Sequence, residues 1–338
     1  MTKIDDIMAA TGFSRTTVSK ALNDKSDISE KTKKIIRKAA DDLNYVPNIN
    51  ARNLRSKRSK VIALILSSPS EESEKTNTLY PLLMGVNQYL STHGFELALY
   101  LIDSKIQTMK SYVAFCRERN VAGAILVGIK TDDDYIRQLA NTEIPYVLID
   151  VDIRNTTHKS VVKLDDVRGA YDATLHLLKN NHRKIAFMNG NKNSTVSEER
   201  LKGYLKAMRN HDMAVSDEYV VYADFSEEEA RKETRQLLKS HPEITALFCA
   251  SDLMALGAMQ GAADVGRIIP DELSLVGYDD IPIARYVTPA LTTISQNFHE
   301  KGFEAAKLIT TQLKQHGDQR IVIVDHYLKV RDSVRCLM

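Results

Sequence analysis

Arg15, Thr16, Ser19 and Lys20 share one face of a short segment whose other face carries Val18, Ala21 and Leu22. On a helix, that spacing sets two cations and two hydroxyls side by side. Arginine and lysine reach the O6 and N7 acceptors of guanine in the major groove, and threonine offers a hydroxyl and a methyl. The chemistry is the reading of base edges, not the making of bonds. The acidic pairs Asp165-Asp166 and Asp279-Asp280 are adjacent in sequence, so their side chains diverge and form no converging acid–base couple. GxSxG, GxGxxG after a strand and GxxxxGK[ST] are all missing, which argues against an enzyme. Cys116, Cys249 and Cys336 stand far apart without CxxC spacing and read as reduced thiols. His176 and His182 have no second ligand at metal spacing and read as structural, so neither a metal nor a cofactor is expected.

The candidate reading face needs a small all-α scaffold to hold it. Thr2 with Asp5 reads as a capping box for a first helix carrying Ile4, Ile7 and Met8, which Gly12 ends. Ser14 is a good N-cap for the second helix, residues 15–22, which ends near Asn23. Ser29 caps a third, in which Ile35, Ile36, Ala39, Ala40 and Leu43 recur at helical spacing. A helix, a turn with glycine and a second helix with a polar outer face make a helix-turn-helix.

Charge supports that head. Residues 1–60 hold fourteen Lys/Arg against seven Asp/Glu, an excess of +7, so the net charge of +2 leaves −5 on the other 278 residues. A basic head on a mildly acidic body is the footprint of a nucleic-acid-binding module joined to something else. Residues 45–60 are basic and poor in apolar residues, and Pro47 stops the preceding helix; such a stretch folds only when docked.

From residue 60 onward, strand and helix alternate. Strands are expected at 61–66, 96–102, 123–127, 146–150, 184–189, 219–222, 246–249 and 273–278. Helices are expected at 82–93, 108–118, 132–140, 169–180, 197–211, 226–240 and 253–263. Such alternation means mostly parallel sheets covered on both faces, here two lobes with a ligand cleft at the strand ends. Residues 69–78 are polar and glutamate-rich and are expected to be a loop. The 338 residues, 43% of them hydrophobic, suffice for packed cores, and no run of about 18 apolar residues occurs. Two acids in the first six residues do not suit a secretory signal, so a cytoplasmic protein without membrane contact is expected.

The stretch Thr11-Gly12-Phe13-Ser14-Arg15-Thr16-Thr17-Val18-Ser19-Lys20-Ala21-Leu22-Asn23 resembles the recognition signature of the lactose/galactose-repressor family. Asn44-Tyr45-Val46-Pro47-Asn48 and Ala51-Arg52-Asn53-Leu54-Arg55 resemble its hinge. Phe248-Cys249-Ala250-Ser251-Asp252, Val276-Gly277-Tyr278-Asp279-Asp280-Ile281-Pro282 and Thr288-Pro289-Ala290-Leu291-Thr292-Thr293-Ile294 extend the likeness through the body. The resemblance implies a helix-turn-helix DNA-binding head (1–45), a hinge (46–60) and a periplasmic-binding-protein-like α/β effector domain (61–338). Within that domain it implies an N-lobe of 61–160 and 292–323 and a C-lobe of 161–291 and 324–338.

It also implies a homodimeric transcriptional regulator, a repressor, on a palindromic double-stranded operator under small-molecule control. Arg15, Thr16 and Lys20 would read bases, with Lys20 where the family more often has arginine. Ser14, Thr17, Ser19, Asn23, Ser29, Tyr45, Asn48, Ala51 and Arg55 would be further DNA contacts, and Leu54 would wedge into the minor groove and kink the DNA. The implied effector contacts are Ser67, Tyr80, Asp150, Arg200, Phe225, Ser251, Asp279 and Phe298. Asp150, Arg200 and Asp279 suit bidentate bonds to vicinal hydroxyls, and Phe225 and Phe298 give apolar faces for a ring. Ser251 replaces the family's usual asparagine, which implies a ligand of altered shape. A sugar or sugar phosphate is favoured over a nucleobase. A sugar-binding transport protein and an enzyme on the two-lobed fold are the rival readings. A phosphoprotein corepressor would leave no motif to read. No heptad tail follows Cys336-Leu337-Met338, so no tetramer is expected.

Overall fold

The structure is a computed structural model, and it describes residues 2–45, 59–67, 77–129, 133–139, 142–151, 160–192, 194–315 and 320–338. The hinge positions Asn48, Ala51, Leu54 and Arg55 lie outside the described residues. The chain divides into two units, Met1–Ser59 and Lys60–Met338.

The first unit holds helices α1 (Ile4–Thr11), α2 (Arg15–Leu22) and α3 (Glu30–Asp42) around a core of Ile7, Val18, Ala21, Ile36 and Ala40. Gly12, at φ 71°, closes α1 by donating its N–H to Met8 O at 2.8 Å. Ser14 and Ser29 accept from the first-turn amides of Thr17 and Thr32, three residues on, as their N-cap role requires. The expected cap at Thr2 is displaced by one residue. Lys3 N donates to Asp6 Oδ2 at 2.7 Å, and α1 begins at Ile4. Thr2 Oγ1 instead donates to Leu43 O at 3.0 Å, satisfying a carbonyl that the end of α3 leaves open. Ile35, expected to be inside, is 45% exposed, whereas Ile36 is buried.

The second unit contains two six-stranded sheets. The first has the order β11 (Ile321–Val324), β5 (Val161–Leu164), β4 (Tyr146–Ile149), β3 (Gly123–Val127), β1 (Val61–Ser67), β2 (Glu96–Ile102), every pair parallel. Parallel strands buried on both faces read as continuous apolar runs, and β1 does so: Ile62 and Leu64 enter one core, Ala63 and Ile65 the other. Helices α4 (Leu79–Thr92), α5 (Ser104–Met109), α6 (Tyr112–Glu118) and α7 (Asp134–Leu139) flank this sheet. The single helix expected at 108–118 is thus two pieces, because Ser111 accepts from Ala114 N at 3.2 Å and restarts it.

The second sheet runs β12 (Tyr327–Lys329), β10 (Thr292–Ser295), β9 (Ser274–Asp279), β8 (Ala246–Cys249), β6 (Ile185–Asn189), β7 (Val220–Tyr222), with β12 alone antiparallel. Its helices are α8 (Asp166–Lys179), α9 (Thr195–Asn210), α10 (Glu227–Ser240) and α11 (Asp252–Ala263). The last helix, α12 (Phe298–Lys314), returns to the first sheet and packs on α4. A Cβ on Gly85 would lie 1.9 Å from His299 O, and one on Gly302 would lie 2.1 Å from Leu82 O, so these glycines set how close α4 and α12 come.

The strand pairings move the expected lobe boundaries. Val161 pairs with Leu148, which keeps β5 in the first lobe, and Thr292 pairs with Val276, which keeps β10 in the second. Each crossing follows a completed strand: after Leu164, after Ser295 and after Val324. The cause is the ladder itself, since a strand released early would leave buried backbone groups unpaired.

Candidate DNA-reading face and effector cleft

On α2, Arg15, Thr16 and Lys20 are exposed, while Thr17 and Ser19 are half-buried. The Ser14 and Thr17 hydroxyls lie 2.9 Å apart and serve the cap, and Asn23 Nδ2 donates to Ser19 O at 2.7 Å. Lys20 Nζ is 2.5 Å from Asp27 Oδ2, so any phosphate or base acceptor competes with that carboxylate. The loop between α2 and α3 is pinned by Asp24, at φ 55°, whose Oδ1 meets Lys33 Nζ at 2.9 Å and Arg37 Nη2 at 2.7 Å. Lys33 foremost, with Arg37, holds the Asp24 carboxyl below the usual carboxylate range. Ser29 is exposed at the start of α3. Tyr45 N donates to Ala40 O, and the Tyr45 ring packs against the head core.

In the second unit, a cavity of about 370 Å³ opens where the two lobes meet. Asn77, Tyr80 and Pro81 line it from the start of α4, and Asp279, Asp280, Pro282, Arg285 and Tyr286 from the segment after β9. Ser295, Asn297, Phe298 and His299 of the second crossing complete it. It thus gathers Tyr80, Asp279 and Phe298 from the expected effector set. Asp279 is 8% exposed, and its Oδ1 accepts from Gln296 Nε2 at 2.5 Å. Burial pushes its carboxyl above the ordinary range, against the pull of Arg200, Gln296 and Lys301.

The other expected contacts stand elsewhere. Ser67 Oγ, at the end of β1, accepts from Gln107 Nε2 at 2.9 Å and lies 3.3 Å from Asp133 Oδ2. Both oxygens of Asp150, just past β4, receive Lys301 Nζ at 2.7 Å. Arg200 does not pair with Asp279. Its Nε donates to Asp166 Oδ1 at 2.8 Å, its Nη1 to Ala250 O at 2.5 Å, and its guanidinium sits 3.8 Å from the Tyr278 ring centre. Ser251 caps α11 by accepting from Met254 N at 3.2 Å. Phe225, at φ 60°, covers Gly190, where a Cβ would fall 2.1 Å from its ring.

Four buried polar groups of the site, Gln296, Lys301, Asp166 and Asp252, lie outside the contacts expected from the sequence. Asp252 is fully buried and accepts from Ile281 N at 2.9 Å and from Thr293 Oγ1 at 2.6 Å, joining β9, β10 and α11. Lys301 carried a readable signal: it lies four residues before Ala305 and seven before Leu308 on the buried stripe of α12. His182, read as structural, is 1% exposed and holds Thr245 Oγ1 at 3.0 Å and Arg335 O at 3.1 Å. Among the described residues, no group of His, Cys, Asp and Glu could hold a metal ion, and no helix is long and apolar enough to cross a membrane.

A helix-turn-helix head joined to two parallel-sheet lobes with a cavity at their strand ends defines a ligand-responsive DNA-binding regulator. Residues 3–48 match the bacterial regulatory proteins, lacI family, and residues 174–334 match the periplasmic binding protein-like domain. The chain is 33% identical to the ribose operon repressor of Halalkalibacterium halodurans over 316 residues, 93% of this chain and 91% of that one. It is 29% identical to the HTH-type transcriptional repressor PurR of Photobacterium profundum over 340 residues, the full length of both. A solved structure of a transcriptional regulator CelR–cellobiose complex superposes with a TM-score of 0.74 at 27% identity, covering 98% of this chain and 100% of that one. The chain belongs to the lacI family, and it is a DNA-binding transcriptional regulator, not an enzyme.

Proposed function

We propose that the protein is a cytoplasmic repressor that binds a palindromic operator as a homodimer and is released or retained by a neutral sugar. The observation that carries the effector reading is the cavity itself, where the Asp279 carboxylate lies among Tyr80, Tyr286 and Phe298. A carboxylate accepts two neighbouring hydroxyls, and the apolar faces of a sugar ring pack on aromatic rings. A volume of about 370 Å³ suits a small ligand of this kind. Arg285 also lines the cavity, but its guanidinium lies 3.7 Å from Asp280 Oδ2. With Asp279 beside them the lining offers a phosphate no surplus positive charge, and a neutral sugar is the better fit than a sugar phosphate. The names of two relatives, a ribose operon repressor and a regulator complexed with cellobiose, support the same class.

In this reading the ligand acts by binding one arrangement of the lobes more tightly than another, which changes the spacing of the two hinge segments in the dimer. Arg15, Thr16 and Lys20 read the half-sites, and Leu54 of the hinge wedges the centre. A thermal-shift screen of sugars, sugar phosphates and purines tests the effector class, because a ligand that binds only the folded state raises stability by mass action. A shift with neutral sugars alone supports the proposal. A shift with purines or phosphates alone overturns it.

A further inference from the structure

Behind the Asp279 carboxylate of the cavity, one hydrogen bond removed through Gln296, lies a cation that the effector reading leaves unused. Lys301 has no solvent exposure, and its Nζ lies 2.7 Å from Asp150 Oδ1, 2.7 Å from Asp150 Oδ2 and 2.6 Å from Gln296 Oε1. An ammonium has three hydrogens to donate, and three acceptors surround this one. Gln296 passes the connection on, with Nε2 donating to Asp279 Oδ1 at 2.5 Å. Asp150 follows β4 of the first sheet, Asp279 ends β9 of the second, and Gln296 stands in the crossing between β10 and α12.

A buried ammonium persists only where its acceptors replace water. Here two of the three acceptor atoms belong to Asp150 at a strand end of the first lobe, and the third to Gln296, itself held to a strand end of the second. Lys301 and Asp150 both belong to the first lobe, so parting the lobes would leave Nζ with Asp150 and pull at the acceptor that Gln296 supplies while it is held to Asp279. Asp279 at the far end also lines the cavity, so an occupant of the cavity meets the same carboxylate that holds Gln296.

We propose that Lys301 is a positioning residue: fixed within the first lobe by Asp150, it ties that lobe to the second through Gln296 and Asp279. A cavity ligand that draws the Asp279 carboxylate away from Gln296 loosens the tie and so reports its presence to the first lobe. That last step rests on the effector reading given above; the tie itself does not.

Amide hydrogen exchange on the full chain without added ligand tests the tie, comparing the native protein with Lys301→Met, Lys301→Arg and the pair Asp150→Asn/Lys301→Met. Methionine keeps the length and packing of the stem and removes the ammonium. Exchange should accelerate about tenfold or more at residues 150–151, 279–281 and 295–301, since one charged hydrogen-bond contact is worth on the order of a power of ten. Amides of β3 and β8 should keep their protection, and Lys301→Arg should recover most of what is lost. The paired variant buries no lone charge, so it reports on the tie even where Lys301→Met fails to fold. Unchanged exchange at 150–151 and 279–281 in the paired variant overturns the proposal. Acceleration confined to α12 also overturns it, because it would mark a packing role. Thermal shift with D-ribose and cellobiose on the native chain tests the cleft separately: no shift counts against the effector reading and the relay step, and leaves the tie standing.

Discussion

Asp166 and Arg200 form an ion pair sealed inside the second lobe, with Nε to Oδ1 at 2.8 Å and side-chain exposures of 4% and 5%. Asp166 opens α8 and Arg200 lies in α9, so the pair fastens the two helices that cover the second sheet next to the first crossing. Arg200 also packs over Tyr278 and holds the carbonyl of Ala250, which joins β9 and the end of β8 to the same group.

Arg200→Met should therefore lower stability by about 3–5 kcal/mol, the cost of leaving a buried carboxylate without its cation. The double change Asp166→Asn/Arg200→Met should cost distinctly less than the single one. Urea unfolding of the three proteins measures this. A single variant as stable as the native chain would return Arg200 to the role of a ligand contact.

The contact between α4 and α12 depends on two glycines that each face the other helix's backbone, Gly85 against His299 and Gly302 against Leu82. Gly302→Ala or Gly85→Ala places a methyl where a carbonyl oxygen stands, 2.1 and 1.9 Å away. Backbone cannot yield as a side-chain tip does, so each should cost at least the 1–3 kcal/mol typical of overpacking. Thermal unfolding should show a clear fall in Tm, whereas Gly266→Ala, with open space around its Cβ position, should cost only the strain of its φ of 75°.

Asp252 and Asp279 make stability depend on pH in a definite direction. Burial raises both carboxyls above the ordinary value of 3.8, and for Asp252 the neighbouring Asp279 adds to it. The folded state then binds more protons than the unfolded state once pH exceeds about 4, so these groups cost stability as pH rises from there towards the raised values. Asp252→Asn removes one of the two titrations. The difference in urea midpoint between the native chain and this variant should shift in the variant's favour from pH 4 to pH 8. A difference independent of pH would show that Asp252 titrates normally.

The head was legible from sequence because its signals are local. Gly12, Ser14 and Ser29 terminate or start helices through bonds to residues three or four away, and they do so in the structure. The strands were legible for a different reason: sheets covered on both faces demand apolar runs such as that of β1. Lobe membership was not legible. Whether β5 and β10 belong to one sheet or the other is decided by pairings such as Val161 with Leu148 and Thr292 with Val276, and four-residue strands carry no mark of their partner. The cleft was half legible for the same reason. Asp279 and Phe298 reach the cavity, but the partner of Arg200 depended on which of several acids the fold brought near it. Lys301 was passed over because a lysine on a helix normally stretches its stem along the surface and keeps its charge in water.

The most direct test of the central claim is duplex selection from a random-sequence library by the full chain, followed by titration of the selected duplex at several salt concentrations. The selected site should have two-fold symmetry, and affinity for it should fall steeply as salt rises, through release of phosphate counterions. Arg15→Ala and Lys20→Ala should each cost about 1–3 kcal/mol on that site and much less on a scrambled duplex. Equal affinity for selected and scrambled duplexes, or full affinity retained by both variants, would contradict the assignment of α2 as the reading helix.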